Sequence, residues 1–317
     1  MSLGSPRLHF LFFLLAVLLA CAPLFAPPYW LELASTALVA AMFALSLQLL
    51  VGGAGLVSLG HAAFFGLGAY AVHLTTQLLG APPSIFLTLP AAAALAGVAA
   101  LAVGALALRT RGFFFLMSTL AFGQILFFLF HDTSLGGGTD GVFIPRPEFG
   151  VGSLVLQVSR ADRPGMLLLL NLGVLVLMYA GLDALMRTLF GRALQGIKAN
   201  EHRMAAAGHN VGALKRAAFV LAGTLAGIAG HMAAVTDAFV TPDLLGWHRS
   251  ADALLMVLLG GIGTLYGPIL GAFAFTGLAE ASQSMTGRPG LVEGLVVLAV
   301  VLALPRGLAG LRGRAAR

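Results

Sequence analysis

Charge is scarce in this chain: only 9% of its 317 residues are Asp, Glu, Lys or Arg, against 59% hydrophobic. Soluble domains carry about 25% charge, so this composition excludes one or two soluble domains. Cysteine is scarcer still. Cys21 stands alone, which rules out an internal disulfide framework and a cysteine-rich metal site. Lysine occurs only at Lys198 and Lys215, neither within a GxxxxGK[ST] loop, so the chain has no such loop with which to bind and hydrolyse ATP. The metalloprotease pattern HExxH and the nucleophile elbow GxSxG are missing as well. The net charge of +6 raises the question of nucleic acid. No basic stretch is interleaved with aromatics, however, and nucleic acid is not expected as a partner.

Long apolar runs are what the chain has instead. In hydrocarbon the backbone must satisfy its own hydrogen bonds, so spans are helices or closed barrels. Barrel strands alternate apolar and polar residues. The runs from Leu8 to Phe25 and from Leu167 to Gly181 are continuously apolar, which selects helices. The 41 glycines point to close helix packing. The expected fold is therefore all-α, a single transmembrane domain over 1–317 with about ten spans. These fall near 8–26, 33–51, 56–79, 84–108 and 112–131, then 165–186, 217–239, 250–262, 266–284 and 290–305. The eighth is short and reads as a half-helix leading into Gly260, Gly261 and Gly263.

Basic residues set the orientation. With the N-terminus inside, Arg7, Arg109, Arg111, Arg187, Arg192, Lys198, Arg203, Lys215 and Arg216 lie inside, with Arg306, Arg312, Arg314 and Arg317 in the tail. Arg146, Arg160, Arg163, Arg249 and Arg288 are left outside. Both termini are then cytoplasmic, residues 132–164 form an external loop, and residues 187–216 form the one sizeable cytoplasmic loop. Leu18-Leu19-Ala20-Cys21 has the look of a lipoprotein signal; an uncleaved first helix with an ordinary cysteine is the preferred reading.

Two stretches carry the functional candidates. From Gly52 to Tyr70, glycines break one helix and start another. A broken helix exposes backbone ends that favour an anionic group such as a carboxylate. Ser58, His61, Phe64, Phe65 and Tyr70, with Gln124, are accordingly the candidate lining of a solute path, the alternative being that the glycines serve helix packing alone. Ser58 and His61, three apart, would share a helix face, which admits an intramembrane nucleophile–base pair; a hydrogen bond to a neighbouring helix is the simpler use. A second glycine rhythm runs from Gly260 to Ala272. His231 sits deep in its span, where a neutral imidazole costs little if hydrogen-bonded. No mid-membrane relay of the kind an ion-coupled carrier needs stands out among Asp237, Asp252, Glu280 and Glu293. The stretch Gly191–Val211 reads as one short amphipathic helix. Leu194, Ile197, Met204 and Ala205 form its apolar side, Arg192, Lys198, Glu201 and Arg203 its polar side, and Gly208 its stop. Such a helix lies on the membrane surface or docks in the groove of a cytoplasmic partner.

Taken together, these pieces resemble the permease subunits of branched-chain amino acid importers of the ATP-binding cassette class, the LivM type. The carriers of the likeness are Gly52–Tyr70, Arg109-Thr110-Arg111-Gly112 with Ser118–Ile125, the loop Gly136–Gly141, the basic loop Gly191–Val211 and the block Leu255–Ala272. The resemblance implies an inner-membrane subunit that moves solute without chemistry on it. It also implies a second permease of the LivH type, two cytoplasmic ATPases that bind the ATP, and an external solute-binding protein. The basic loop would be the coupling helix in an ATPase groove. Gln124 stands where members commonly have an acidic residue, and Lys198-Ala199-Asn200-Glu201 replaces an often more acidic run. The solute class therefore stays open among branched-chain amino acids, urea, amides and other small carboxylates, and an ion-coupled carrier remains the rival mechanism.

Overall fold

The structure, a computed structural model, describes residues 15–79, 84–145, 149–151, 154–156, 162–285, 289–303 and 307–308. The order of elements is almost wholly helical: α1 (Leu15–Leu24), α2 (Pro28–Gln48), α3 (His61–Leu79), α4 (Ile85–Ala107), α5 (Phe113–His131) and α6 (Arg163–Arg187) come first. They are followed by α7 (Leu189–Ala199), α8 (Glu201–Ala206), α9 (Val211–Asp237), α10 (Trp247–Gly260), α11 (Gly267–Met285) and α12 (Pro289–Ala303). Among the described residues, four strands of two or three residues interrupt this pattern, which a purely helical expectation did not include. They are β1 (Val142–Phe143), β2 (Phe149–Val151), β3 (Leu154–Leu156) and β4 (Phe239–Val240).

Among the described residues, six helices are long and apolar enough to cross a bilayer: α2 with its π-helical continuation to Ala54, then α3, α4, α5, α6 and α9. The chain is a polytopic helical membrane bundle. Of the other expected spans, 8–26 and 290–305 lie partly outside the described residues, while 250–262 and 266–284 fall on α10 and α11. At 1.5 Å per residue, the 14 residues of α10 reach only about 21 Å, short of a core about 30 Å thick. α11 closes on a polar turn with Glu280, Ser282 and Gln283. The expected span at 56–79 is also trimmed. Residues 55–60 are not helical, and α3 begins at His61.

The chain divides into two compact units. One comprises residues 1–53, 164–195 and 252–317. Its main contact is α11 against α2, and α12 packs on α11. The centre of α2 is deeply buried, with Leu38, Ala41, Met42, Leu45 and Leu47 fully out of reach of solvent.

The other unit comprises residues 54–163 and 196–251. Here α3, α4 and α9 pack mutually, and the short turn Pro242–Leu245 lies against α3 and α5. Ser84 opens α4 by accepting a hydrogen bond from Phe86 N–H. Ala238, in the left-handed region at φ 55°, ends α9. The chain then returns through β4 to pair antiparallel with β1, Val142 opposite Val240 and Phe143 opposite Phe239. β2 and β3 form a separate antiparallel pair in the 132–164 loop.

Candidate functional site

The basic segment 187–216 is two helices rather than the single one expected. Asn200 adopts an extended backbone, and its side chain accepts a hydrogen bond from Arg203 N–H, so the residue caps α8 and breaks it from α7. Gly208 does end the segment, at φ 86°. Asn210 then caps α9 through Ala213 N–H. The apolar side of the amphipathic pattern is largely turned inward. Leu194 and Ile197 are buried and Met204 half-buried, while Ala205 is exposed. Arg192, Lys198 and Arg203 are exposed.

Glu201 bonds Lys215 at 2.6 Å and so pins the first turn of α8 to the first turns of α9. The hydrogen bond from Lys215 holds the Glu201 carboxyl below its ordinary range, against a smaller opposing effect of burial. Burial also lowers the Lys198 ammonium. Its stem lies across Gly55, where a Cβ would come within 3.1 Å of Lys198 Cγ. Gly55 has φ 71° as well, so a side chain there is disfavoured by both backbone and space.

The residues proposed to line a solute path lie mostly in the packed interior of their unit. Ser58 precedes α3 and is fully buried, and its Oγ has no hydrogen-bond partner among the described residues. His61 is the first residue of the helix. The two therefore do not share a helix face, and no Ser58–His61 hydrogen bond exists to activate a nucleophile. The next residue, Ala62, donates its N–H to Ser250 Oγ at 2.8 Å, which anchors the helix start. Phe64 stands edge-on to both His61 and Phe219, with centroids 6.0 and 5.6 Å apart. Tyr70 stacks on Phe130 at 4.4 Å, next to Gly136 of the glycine loop. Phe65 is buried, and its carbonyl faces Gly230 of α9. Gln124, on α5, is half-buried. The five residues from Ser58 to Tyr70 share one buried stretch leading into and along the first half of α3, and Gly123, the residue before Gln124, packs against Gly60 within it.

Two polar contacts escaped sequence reasoning. Gln48, at the end of α2, is fully buried and donates from Nε2 to Ile262 O at 2.7 Å and to Thr264 O at 2.9 Å. It thereby ties the first glycine break to the second, within one unit. The signal was a lone amide in an apolar run just ahead of Gly52-Gly53. The other contact joins Thr88 Oγ1 of α4 to His231 Nε2 of α9 at 2.8 Å, which meets the expectation that His231 is hydrogen-bonded. Its partner was not legible, because Thr88 is one hydroxyl among many near the start of a span.

The fold and site define a polytopic helical membrane protein with a short basic segment between spans. The comparison with known families narrows this. Residues 29–305 match the family described as branched-chain amino acid transport system / permease component, and the chain belongs to that family. It is similar to the high-affinity branched-chain amino acid transport system permease protein LivM of Escherichia coli strain K12, at 28% identity over 96% of this chain and 76% of that one. Its similarity to the protein of the same name from Salmonella typhimurium strain LT2 is 28% over the same shares. No solved structure matches.

Proposed function

We propose that this chain is the LivM-type permease of an ATP-driven importer that brings branched-chain or related hydrophobic amino acids into the cell. The observation that carries the reading is the family match, which runs almost end to end rather than over one motif. In this reading the protein sits in the bacterial inner membrane with about ten spans and both termini cytoplasmic. Residues 132–164 face the external solute-binding protein, and residues 187–216 face the cytoplasm. A LivH-type permease completes the pathway and two ATPases supply the energy. The segment α7–α8 is the coupling element: Leu194 and Ile197 hold it to the permease, and exposed Arg192 and Arg203 meet the ATPase. Ser58, His61, Phe64, Phe65, Tyr70 and Gln124 border the path, and chemistry on the solute has no part in the cycle.

The test is co-purification with the neighbouring ATPases, comparing wild type with Arg192→Glu/Arg203→Glu. These positions are exposed, so the variant is expected to stay folded while releasing the ATPases and losing leucine uptake. Uptake driven by an ion gradient with no ATPase bound would instead establish the rival carrier mechanism. Transport of urea in preference to leucine would reassign the solute.

A further inference from the structure

A cavity of about 280 Å³ opens within one unit, between the end of α4, the start of α5, the α7–α8 junction and the first turns of α9. Three cations line it, Arg111, Lys198 and Lys215, against the single carboxylate of Glu201. Glu201 is already matched by Lys215 at 2.6 Å, so the cavity keeps an excess of positive charge. Arg111 makes no hydrogen bond or ion pair among the described residues. Asn200, on the same wall, commits its oxygen to the Arg203 N–H and keeps its amide donors. Gly112 caps the 19-residue α5 without a side-chain hydrogen bond, so the first-turn amides of that helix add to the positive field.

Beside this polar cavity lies a strongly apolar surface. Phe113 and Phe114 are 68% and 74% exposed at the start of α5, and Leu106 is 49% exposed at the end of α4. The walls of the cavity are helix ends, which in a membrane bundle lie near the headgroup layer. Positive charge at that depth, with aromatic and aliphatic side chains just deeper in the same helices, matches a molecule that has an anionic head and apolar tails. Basic pockets between transmembrane helices bind lipid headgroups on this principle, and a guanidinium can bind a phosphate through two parallel hydrogen bonds.

We propose that this cavity holds the phosphate of an anionic phospholipid, whose acyl chains lie along Phe113, Phe114 and Leu106. The bound lipid braces the junction of α7 and α8 against the ends of α4 and α5. The assignment requires that α4, α5 and α9 are membrane spans; it does not depend on which solute the permease carries, so transport is not its readout.

The full chain, purified in a neutral detergent and delipidated, is titrated with phosphatidylglycerol, phosphatidylcholine and inorganic phosphate. Native mass spectrometry counts bound lipid and a thermal melt follows stability. Wild type is expected to hold one phosphatidylglycerol at this site and to melt higher with it, with no such response to phosphatidylcholine. Arg111→Gln/Lys198→Gln should weaken that binding by about thirty-fold, the loss of two surface cations. Arg111→Lys should recover most of it, which separates loss of the site from loss of the fold. Arg109→Gln, outside the cavity, should stay within about two-fold of wild type. Equal phosphatidylglycerol binding by wild type and the double variant overturns the proposal, as does an equal loss in Arg109→Gln. If inorganic phosphate alone raises the melt as the lipid does, the cavity is a free-phosphate site and the lipid assignment fails.

Discussion

In the unit of α3, α4 and α9, helices meet through the absence of side chains. A Cβ on Gly230 would overlap the carbonyl of Phe65, and one on Gly68 would overlap that of Gly227. Ala92, Ala96 and Ala100 line the buried face of α4. In the unit of α2 and α11, a different problem is solved. The backbone leaves regular α-helix twice, in the π turn Leu49–Ala54 and in the turn after Gly260, and in the second the Ile262 and Thr264 carbonyls lie outside any helix. Gln48 supplies the replacement, one amide for two carbonyls. Close approach needs small residues, whereas irregular backbone inside a membrane protein needs a dedicated polar partner. The first contact is distributed over many positions, the second concentrated in one.

The largest effect should come from filling the close crossing. Gly230→Val would force α9 away from α3, and overpacking of this kind costs about 3 kcal/mol or more where backbone blocks relaxation. The expected result is loss of monodisperse protein in detergent. Gly173→Ala is the control, since a Cβ there meets nothing within 4 Å, and a helical Gly→Ala change should raise the melting temperature slightly. A tolerated Gly230→Val would break the comparison, because it would mean the crossing is not set by backbone contact.

Next in size is Gln48→Leu, which keeps the volume and deletes the donors. Each buried carbonyl left unsatisfied costs about 1–3 kcal/mol. Gly52 has no room for an answering shift, since a Cβ there would come within 2.6 Å of Gln48 Nε2. The thermal midpoint should fall clearly. Gln48→Glu should fall further, because a carboxylate would face the same carbonyls. Equal stability of Gln48→Leu and wild type would show that water replaces the amide, and the two units would then differ less than their contacts indicate.

That contrast also governs what was legible. The helical bundle followed from continuous apolar runs, and the break between α2 and α3 from Gly52, Gly53 and Gly55. The amphipathic segment between α6 and α9 was legible from Leu194 and Ile197 among basic residues. Its division into two helices was missed because Asn200 was not weighed as a cap ahead of Glu201. Likewise Gln48 and Thr88 look like isolated polar residues until the fold brings their partners in, Ile262 and Thr264 for one and His231 for the other. Small-residue packing is a property of composition and survives in the sequence. A single long-range hydrogen bond does not, because its two ends lie more than a hundred residues apart. The span count suffered from a related gap: α10 has the right composition but too little length.

The smallest effect expected is at Glu201, where the small-residue unit uses its charge pair with Lys215. Side chains 31% and 13% exposed place this pair close to the surface class, worth up to about 1 kcal/mol. Its pH dependence gives it a signature that neither of the other contacts has. The hydrogen bond from Lys215 lowers the Glu201 pKa in the folded protein, below the ordinary 4.5. The unfolded chain therefore binds this proton at higher pH than the folded one. The stabilisation is present above about 4.5 and is lost as pH falls through the folded value. Thermal melts of wild type and Glu201→Gln should differ at pH 7 and converge as the solution is acidified below that point. The gap between Gln48→Leu and wild type should lack this convergence, since an amide does not titrate. A Glu201→Gln difference that stayed constant from neutral to acid pH would mean that the pair contributes packing rather than charge, and that α8 is held to α9 as α3 is, by shape alone.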